Sequence, residues 1–408
     1  MSAVPGRIIA LDNPVREYHW GSTDYIPRLL GVPVTGRPVA ELWVGAHPGS
    51  PSRAVGTGGV ALDSLIAEAP QRLLGAGTVE RFGPRLPFLL KVLAASRTLS
   101  LQVHPNAAQA SAGFAAEQAA DIALGAAERN YADPHHKPEL AYALTEFEAF
   151  CGFRPVAETA ELLDALAVAQ LAPYRQVLVG EGGLRAAFTC LLTLPDGARA
   201  QLVAATMAGC ERLATEGGRW TQEARAVRLA GSDFPGDIGA VLALLLNYVR
   251  LAPGEAIFLG AGNVHAYLRG SCLEVLASSD NVLRCGLTSK HVDVPELLRI
   301  ADFSPLRQPR WRPERAGGLA RFAGPAPDFV LTVLAGAGSA VPLPGVGPRL
   351  VLSGEGTLSL SDGAETVVLP PWHAAFVSAE LMGCLVSGSD RAFVVSCDLT
   401  SPNRSEEI

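Results

Sequence analysis

Short apolar segments separated by turn residues run through the first hundred residues of this chain. Residues 42–44, 88–92 and 99–103 are apolar stretches divided by clusters of Gly, Pro and Ser, which is typical of β-strands joined by turns. Residues 107–128 are rich in alanine and predict a helix, and alternation from about 136 predicts strand again. We therefore expect strand and turn from 5 to 105, then a helix and a further strand.

A helical pattern occupies residues 155–250. Apolar residues recur there at three- or four-residue spacing in three groups: Leu162, Leu166 and Ala169; Leu184, Phe188 and Leu191; Val203, Met207 and Cys210. Beyond 251 the strand pattern returns, with one predicted helix at 295–301 and strand candidates at 357–361 and 374–377. A helical block between stretches of strand predicts an insertion into a β sandwich or barrel.

Composition agrees with a turn-rich globular protein. The 408 residues predict two or three domains, and the 42 glycines and 30 prolines exceed what long helices tolerate. A hydrophobic fraction of 49% with 18% charged residues excludes extensive disorder. The net charge of −7 argues against a nucleic-acid partner, but a local cluster of cations could still bind an anionic small molecule.

No segment predicts export or membrane insertion. The first 13 residues contain one Arg and a short apolar stretch interrupted by Asp12. The most apolar run, 238–246, is far shorter than the roughly 20 residues that span a bilayer. Seven scattered cysteines lack a C-x-x-C pair, which disfavours a disulfide framework and a thiolate zinc site. We expect a protein of the reducing cytoplasm with no membrane partner.

The first candidate site is a predicted strand that ends at a His-Pro pair. In a strand, Gln102 and His104 project from the same face as Ser100, whereas Leu101 and Val103 face the core. An imidazole and an amide oxygen two residues apart can supply two metal ligands. A solvated sheet face would show the same spacing, so this motif alone leaves the choice open.

The second candidate site ends at Glu139 and reads Asp-Pro-His-His-Lys-Pro-Glu. Pro138 forces Lys137 toward extended geometry, so His135, Lys137 and Glu139 share one face. Glu139 could supply a carboxylate ligand, and Lys137 a cation beside it. His135 and His136 are alternative ligands, but neighbours point to opposite faces of a strand, so at most one could join Glu139. A polar loop is the other interpretation.

The third candidate site is a predicted hairpin over 253–267, which delivers His265 and Tyr267 onto a strand. Its Gly-x-Gly is not a dinucleotide fingerprint, because no helix is predicted to follow. Polar and charged residues follow closely: Glu274, Asp280, Asn281, Arg284 and Lys290. These could line a pocket or form a salt-bridged surface.

A single metal ion would unify the three candidate sites. Its ligands would be Gln102, His104, Glu139 and His265. Neutral histidines and one carboxylate leave a bound divalent cation with net positive charge. Lys137, Arg284 and Lys290 would add to it, and the pocket would then attract a phosphate despite the acidic chain.

Longer motifs around these residues carry a family resemblance. They occur in one order at 18–21, 41–48, 102–105, 136–139, 234–239, 245–249, 253–255, 265–267, 279–281 and 284–288. Together they resemble the type I phosphomannose isomerases, zinc enzymes of the cupin superfamily, from Tyr18 to about Asp302.

The resemblance implies a mainly β fold with two cupin-like (jelly-roll) β-sandwich domains and an inserted all-α domain. Residues 1–154 would form the N-terminal part of the catalytic cupin domain, and 155–250 the helical insertion. Residues 251–310 would complete the catalytic region, and 311–408 would form a C-terminal cupin-like domain.

The resemblance also implies an activity, the interconversion of D-mannose 6-phosphate and D-fructose 6-phosphate, by a cis-enediol proton transfer between C1 and C2. One Zn²⁺ per chain would be bound by Gln102, His104, Glu139 and His265. The catalytic positions fall on Arg284, Glu274 and Lys137, and the substrate-binding positions on Ser100, Lys290, Tyr267 and Asp280. We expect a monomer whose partner is a small phosphosugar.

The chain departs from the family pattern at a few positions. Gly260 and Val264 stand where the family often has prolines, and His291 stands where an aromatic residue is usual. Past Pro305 the resemblance is faint, and we expect His373 to be structural or superficial because no partner ligand precedes it at strand spacing.

Two other protein classes remain as alternatives. An Fe(II) cupin oxygenase is disfavoured because such sites use a His-x-Asp or His-x-Glu pair with a distant His, whereas the candidate ligand strand has Gln102 in the first position. A non-catalytic sugar-binding cupin gives no reason for Lys137, Glu274, Arg284 and Lys290 to surround the ligand set.

Overall fold

A computed structural model describes residues 7–336, 338–388 and 390–399 of the chain. Helix and strand occupy nearly equal fractions, 30% and 29%, so the expectation of a mainly β chain is corrected to a mixed one. The helical share is high because helices also form in the first hundred residues.

The strands up to the predicted helix at 295 are β1 (Ile8–Asp12), β2 (Val15–Arg16), β3 (Glu41–Val44), β4 (Arg53–Ala54), β5 (Phe88–Ala95), β6 (Leu101–Val103), β7 (Glu139–Ala143), β8 (Phe147–Phe153), β9 (Leu246–Leu251), β10 (Ala256–Leu259), β11 (His265–Ala277) and β12 (Leu283–Gly286). The later strands are β13 (Arg310–Trp311), β14 (Glu314–Ala316), β15 (Leu319–Ala323), β16 (Val330–Leu334), β17 (Val341–Pro342), β18 (Val346–Ser353), β19 (Leu358–Ser361), β20 (Thr366–Leu369), β21 (Ala374–Val377), β22 (Leu385–Gly388) and β23 (Ala392–Cys397).

The α-helices are α1 (Tyr25–Leu29), α2 (Leu62–Glu68), α3 (Pro70–Leu74), α4 (Ala76–Phe82), α5 (Ala107–Ala119), α6 (Val156–Leu166), α7 (Ala172–Leu178), α8 (Gly183–Leu192), α9 (Asp196–Glu216), α10 (Thr221–Asp233), α11 (Gly239–Leu242) and α12 (Val294–Ile300). Short 3₁₀ helices occupy Ala169–Leu171 and Ala243–Leu245. No helix in the described ranges is long and apolar enough to cross a membrane.

The sheet that carries the candidate site has eleven strands within the described ranges. Its main path runs β13-β10-β7-β11-β5-β3-β2, and β6, β8, β9 and β12 join it through β11. The start of β11 pairs with β6 and β8, and its end pairs with β5 and β7. A register shift between Tyr267 and Arg269 separates these two parts. Such an irregularity bends a strand, so β11 can serve both parts of the sheet.

An eight-stranded sheet packs on this one. Its order is β14-β15-β16-β23-β18-β21-β1-β4, so the N-terminal strand lies among C-terminal strands, with Ile8 opposite Val377. Apolar side chains from both sheets form one core, in which Leu90 and Leu273 belong to the same cluster as Phe376. A four-stranded sheet, β17-β22-β19-β20, shares a further apolar cluster with the eight-stranded sheet.

The helical block follows most of the predicted periodicity. Leu162, Leu166, Leu184, Phe188, Leu191, Val203 and Cys210 are buried, whereas Ala169 is exposed. The helices end at Leu245, before the predicted limit of 250, because Leu246–Leu251 is strand β9 and pairs with β8. A buried apolar run has the same appearance in a helix and in a strand, and periodicity cannot separate them.

The strand-and-turn prediction for 5–105 was wrong over 62–82, where α2, α3 and α4 form. These short helices bury Leu62, Leu65, Ile66, Leu73 and Leu74 in the core between the two large sheets. Helix α5 is shorter than predicted, whereas α12, β19 and β21 agree with prediction to within one residue.

Candidate active site

Three buried side chains converge where β6, β7 and β11 meet. Glu139 begins β7, His265 begins β11 and His104 follows β6. The Nε2 atom of His104 lies 3.3 Å from Glu139 Oε1, and the Nε2 atom of His265 lies 3.4 Å from Glu139 Oε2. Their ligand atoms all lie within 4.8 Å of one another, close enough to bind one metal ion.

Backbone carbonyls orient both imidazole rings. His104 Nδ1 lies 2.7 Å from the carbonyl oxygen of Asn281, and His265 Nδ1 lies 2.9 Å from that of Asn263. A carbonyl oxygen only accepts, so each Nδ1 carries the proton and each Nε2 presents a lone pair to the cluster. Burial lowers the pKa of His104 to about 4, which keeps this ring neutral, the form that binds metals.

The donors of this cluster leave buried polar atoms without partners. His104 Nε2 and Glu139 Oε2 accept no hydrogen bond from the described residues. Burial acts to raise the pKa of Glu139, but Lys137 and His104 beside it lower that pKa well below its usual value. An ionised carboxylate and two imidazole lone pairs at one buried point are costly unless a cation joins them. Two imidazoles and a carboxylate fit Zn²⁺.

Gln102 lies beside this cluster. Its side-chain nitrogen is 3.2 Å from Nε2 of His265, and its Cα lies opposite that of His265 across β6 and β11. Rotating the amide by half a turn exchanges its nitrogen and oxygen, so this geometry can bring Oε1 to the metal position as a fourth donor.

The neighbouring histidines do not join Glu139. His136 Nε2 lies 2.9 Å from Asp328 Oδ2, on the side of the chain opposite to Lys137 and Glu139. His135 and His136 both line a separate cavity. The expectation of one shared face holds for Lys137 and Glu139, because Lys137 Nζ lies 3.0 Å from Glu139 Oε1. It was wrong for His135, which lines the separate cavity together with His136 because this segment precedes strand β7.

A cavity of about 420 Å³ opens above the cluster. It is lined by the residues that were expected to bind substrate or to act in catalysis: Ser100, Lys137, Tyr267, Glu274, Asp280, Arg284 and Lys290. Gln102 and Glu139 also line it. Asp280 lies at the exposed rim, with its carboxylate 3.4 Å from His47 Nε2.

A buried lysine that was not singled out from the sequence lies in the wall of this cavity. Lys91 Nζ is 3.3 Å from Glu274 Oε2 and 3.6 Å from Glu41 Oε1. Trp43 Nε1 donates a 2.7 Å hydrogen bond to Glu41, and Lys91 Nζ lies 4.7 Å from the centre of a Trp43 ring. A lone charge within the apolar run 88–95 was the signal in the sequence that could have identified Lys91.

Burial and neighbouring charges set the protonation states of the titratable side chains in this cavity wall. Burial lowers the pKa of Lys91, but Glu41 and Glu274 raise it by more, so Lys91 stays charged. Burial and the charge of Glu139 raise the pKa of Glu274 above its usual value, against the opposite effect of Lys91. Burial raises the pKa of Tyr267 well above its usual value, and the nearby carboxylates add to that, so its hydroxyl stays protonated.

Two cations of the cavity lack a counter-ion. Neither Arg284 nor Lys290 forms an ion pair with a carboxylate of the described residues. The charge of Arg284 is the main cause that lowers the pKa of Lys290, which means that the two side chains repel each other. Such a pair is suited to a dianionic group.

Known proteins resemble this chain along almost its whole length. The protein-family model of the type I phosphomannose isomerase catalytic domain matches residues 8–156. A mannose-6-phosphate isomerase from Escherichia coli (strain K12) is 39% identical over 388 residues, covering 93% of this chain and 97% of that protein. Mannose-6-phosphate isomerase 1 from Arabidopsis thaliana is 33% identical, covering 94% of this chain and 92% of that protein.

Solved structures of phosphomannose isomerases resemble this chain over the same length. A crystal structure of mannose 6-phosphate isomerase bound with zinc and yttrium is 36% identical, with a TM-score of 0.88, and the match covers 96% of this chain and 100% of that one. A mutant of phosphomannose isomerase from Salmonella typhimurium has a TM-score of 0.89 at 36% identity, with the same coverage.

Proposed function

This chain belongs to the type I phosphomannose isomerase family, and we propose that it is a zinc-dependent isomerase of D-mannose 6-phosphate and D-fructose 6-phosphate. The observation that carries this function is the buried cluster of His104, Glu139 and His265 beneath a cavity whose Arg284 and Lys290 form no ion pair with a described carboxylate. An oxygenase or a binding-only cupin explains the metal donors but not the cationic cavity.

We propose that Gln102, His104, Glu139 and His265 bind one Zn²⁺ per chain. Support comes from the two imidazoles and the ionised carboxylate, whose ligand atoms lie within 4.8 Å of one another. Two of these atoms, His104 Nε2 and Glu139 Oε2, are buried without a hydrogen-bond partner among the described residues. Bound there, Zn²⁺ would supply Lewis-acid polarisation of the sugar's oxygens.

The substrate would be oriented by charge. Lys290 is proposed to bind the phosphate as a point charge, since it lines the cavity and forms no ion pair with a carboxylate of the described residues. Arg284, which is permanently cationic, is proposed to stabilise the oxyanion that develops at C1 or C2, or to assist ring opening. Ser100, Tyr267 and Asp280 would hydrogen-bond the sugar from the cavity wall and rim.

Glu274 is proposed to move the proton between C1 and C2 through a cis-enediol. Its raised pKa brings the carboxyl closer to neutrality, where a group exchanges protons most effectively. Lys137 remains beside Glu139, 3.0 Å away, and can direct a further N–H to a sugar oxygen.

We further propose that the two large sheets belong to two cupin-like sandwiches with the helical block inserted between 155 and about 245. We also propose a cytoplasmic monomer without a nucleic-acid partner. Support comes from the net charge of −7 and from seven free cysteines, all of which lie in the described ranges.

A coupled assay with mannose 6-phosphate, before and after chelation, tests the function. Turnover should disappear on chelation and return with Zn²⁺. Activity that is indifferent to the chelator would contradict the metal site, and sugar binding without turnover would favour a binding protein. Oxygen uptake with Fe²⁺ would revive the oxygenase.

Substrate deuterated at C2 tests the route of the proton. An enediol intermediate should lose part of the label to solvent during turnover. Complete transfer of the label to C1 with no exchange would instead favour a hydride shift.

A further inference from the structure

A carboxylate of the helical block is bonded to the turn that follows β12. Asp237 lies between α10 and α11, and its Oδ1 accepts hydrogen bonds from Gly239 N at 2.7 Å and from Leu287 N at 2.8 Å. Its Oδ2 accepts one from Thr288 N at 3.2 Å. Two of these three donors come from residues about fifty positions later in the chain, so Asp237 joins the insertion to the cavity wall.

The turn that Asp237 holds has an unfavourable backbone. Leu287 has a φ of 52°, in the left-handed region that side chains other than glycine rarely adopt. The strand before it is irregular, with a register shift between Arg284 and Gly286. A turn of this kind persists only when surrounding contacts hold it, and the two hydrogen bonds to Asp237 are such contacts.

Two glycines allow this contact. A Cβ atom on Gly239 would lie 2.5 Å from Leu287 N, and a Cβ on Gly286 would lie 2.7 Å from Gly239 Cα. Both distances are shorter than real Cβ contacts, so any side chain here would push the two segments apart. The close approach of the two backbones therefore brings the Asp237 carboxylate within reach of the turn.

The same turn carries the cation proposed for the phosphate. Leu287, Thr288 and Lys290 all line the cavity, and Thr288 Oγ1 accepts a 3.1 Å hydrogen bond from Lys290 N. Thr288 thus connects Asp237 to Lys290, because its backbone N–H donates to Asp237 and its hydroxyl oxygen accepts from Lys290 N. A carboxylate suits this position because it only accepts, and three N–H groups point at its two oxygens.

We propose that Asp237 is a positioning residue for substrate phosphate, which it serves by fixing the 287–290 turn so that Lys290 faces the cavity beside Arg284. This inference rests on the proposed function, since it takes Lys290 as the phosphate-binding cation. It also gives the helical insertion a part in forming the substrate site.

Asp237→Asn tests the proposal. Asn keeps the shape but presents an N–H group to one of the three backbone donors. The KM for mannose 6-phosphate and the inhibition constant of inorganic phosphate should rise together, by about tenfold, because a displaced phosphate group binds poorly. Zinc content should stay at the wild-type level and kcat should change less than KM.

Asp362→Asn is a matched control. Asp362 also accepts two backbone hydrogen bonds, from Ala364 and Glu365, but in the hairpin between β19 and β20. This variant should lower thermal stability and leave KM and phosphate inhibition unchanged. An equal rise of KM in both variants would show that Asp237 acts only through general stability.

The double variant Asp237→Asn/Lys290→Gln tests whether Asp237 acts on phosphate binding through Lys290. If Asp237 acts through Lys290, the two substitutions together should raise KM little more than Lys290→Gln alone. The proposal would be overturned if the two substitutions raised KM by the product of their separate effects. It would also be overturned if Asp237→Asn lost zinc, or if its KM and its phosphate inhibition constant stayed within twofold of wild type.

Direct phosphate titration separates this proposal from the proposed function. If wild-type protein fails to isomerise the sugar, the function is wrong, but calorimetry with inorganic phosphate still measures the weakening by Asp237→Asn. If Lys290→Gln binds phosphate as well as wild type, the assignment of Lys290 fails and the role of Asp237 falls with it.

Discussion

Arg284 on β12 lies opposite Gln102 on β6, and Gln102 in turn lies opposite His265 on β11. Strand β6 therefore sets the distance between the proposed oxyanion-stabilising cation and the proposed metal donors. Substitutions at Arg284 and Gln102 can disturb each other through this strand pair. Metal content and turnover must for that reason be measured separately in each variant.

Gln102→Ala should weaken Zn²⁺ binding. The variant removes the amide beside His265 Nε2, and we expect the dissociation constant to rise at least about tenfold, by analogy with the loss of groups that support a metal site. Competition with a chromogenic chelator measures it. Ser100→Ala, in the same segment, should retain wild-type zinc affinity, and an equal loss there would contradict the ligand role of Gln102.

Arg284→Ala should retain zinc and lose activity. Removing a cation aimed at a developing oxyanion typically costs about a hundredfold in kcat. Arg284→Lys should recover only part of that loss, because an ammonium lacks the planar donor fork. Elemental analysis together with steady-state kinetics provides the check. If Arg284→Ala lost its zinc, the side chain would belong to the metal site and not to the chemistry.

Lys91→Met should move the acid limb of kcat/KM to higher pH. The charge of Lys91 lowers the pKa of Glu274, so its removal raises that pKa further. A base must be deprotonated, and activity should therefore decline at a higher pH than in wild type.

Glu41→Gln provides the opposite change for comparison. The charge of Glu41 raises the pKa of Glu274, so its removal should move the acid limb to lower pH. Both shifts of the acid limb are obtained by measuring kcat/KM over one pH series for zinc-loaded wild type, Lys91→Met and Glu41→Gln. Acid limbs that coincide with wild type in both variants would show that Glu274 is not the titrating base.

Asp328→Asn should destabilise the protein most at acidic pH. Burial lowers the pKa of His136, but Asp328, 2.9 Å away, raises it by more, so the folded value is higher than the unfolded one. The pair therefore contributes its full stability below the unfolded pKa of about 6.5, and loses it as pH rises through the raised folded value.

Asp328→Asn should lower the free energy of unfolding by about 1.5–3 kcal/mol at pH 5.5, the usual contribution of a hydrogen bond to a charged group. Urea unfolding of wild type and Asp328→Asn between pH 5.5 and 9 measures it. In a His136→Gln background, the cost of Asp328→Asn should no longer depend on pH. A cost that stays constant with pH in the wild-type background would mean that His136 is not charged in the pair.

Local backbone geometry made part of the candidate site predictable. Alternation placed Gln102 and His104 on one side of a strand and Leu101 and Val103 in the core, where both are fully buried. Pro138 predicted an extended chain, and Lys137 and Glu139 do lie on one side, 3.0 Å apart. These features depend on dihedral angles and on residues one or two positions away, so they can be deduced from the sequence.

Contacts between distant segments decided the rest. The sequence left His135 and His136 as possible ligands, and Asp328, almost two hundred positions later, directs His136 away from the cluster. It did not distinguish Lys91, whose partners Glu41 and Glu274 lie on neighbouring strands of one sheet. The pairing of β1 with β21 joins the two ends of the chain. Composition and periodicity thus indicated the strands that carry the metal donors, most of the helical block and the donor types. Burial against remote partners determined which charges meet, because the strength of an ionic contact depends on distance and solvent exclusion in three dimensions.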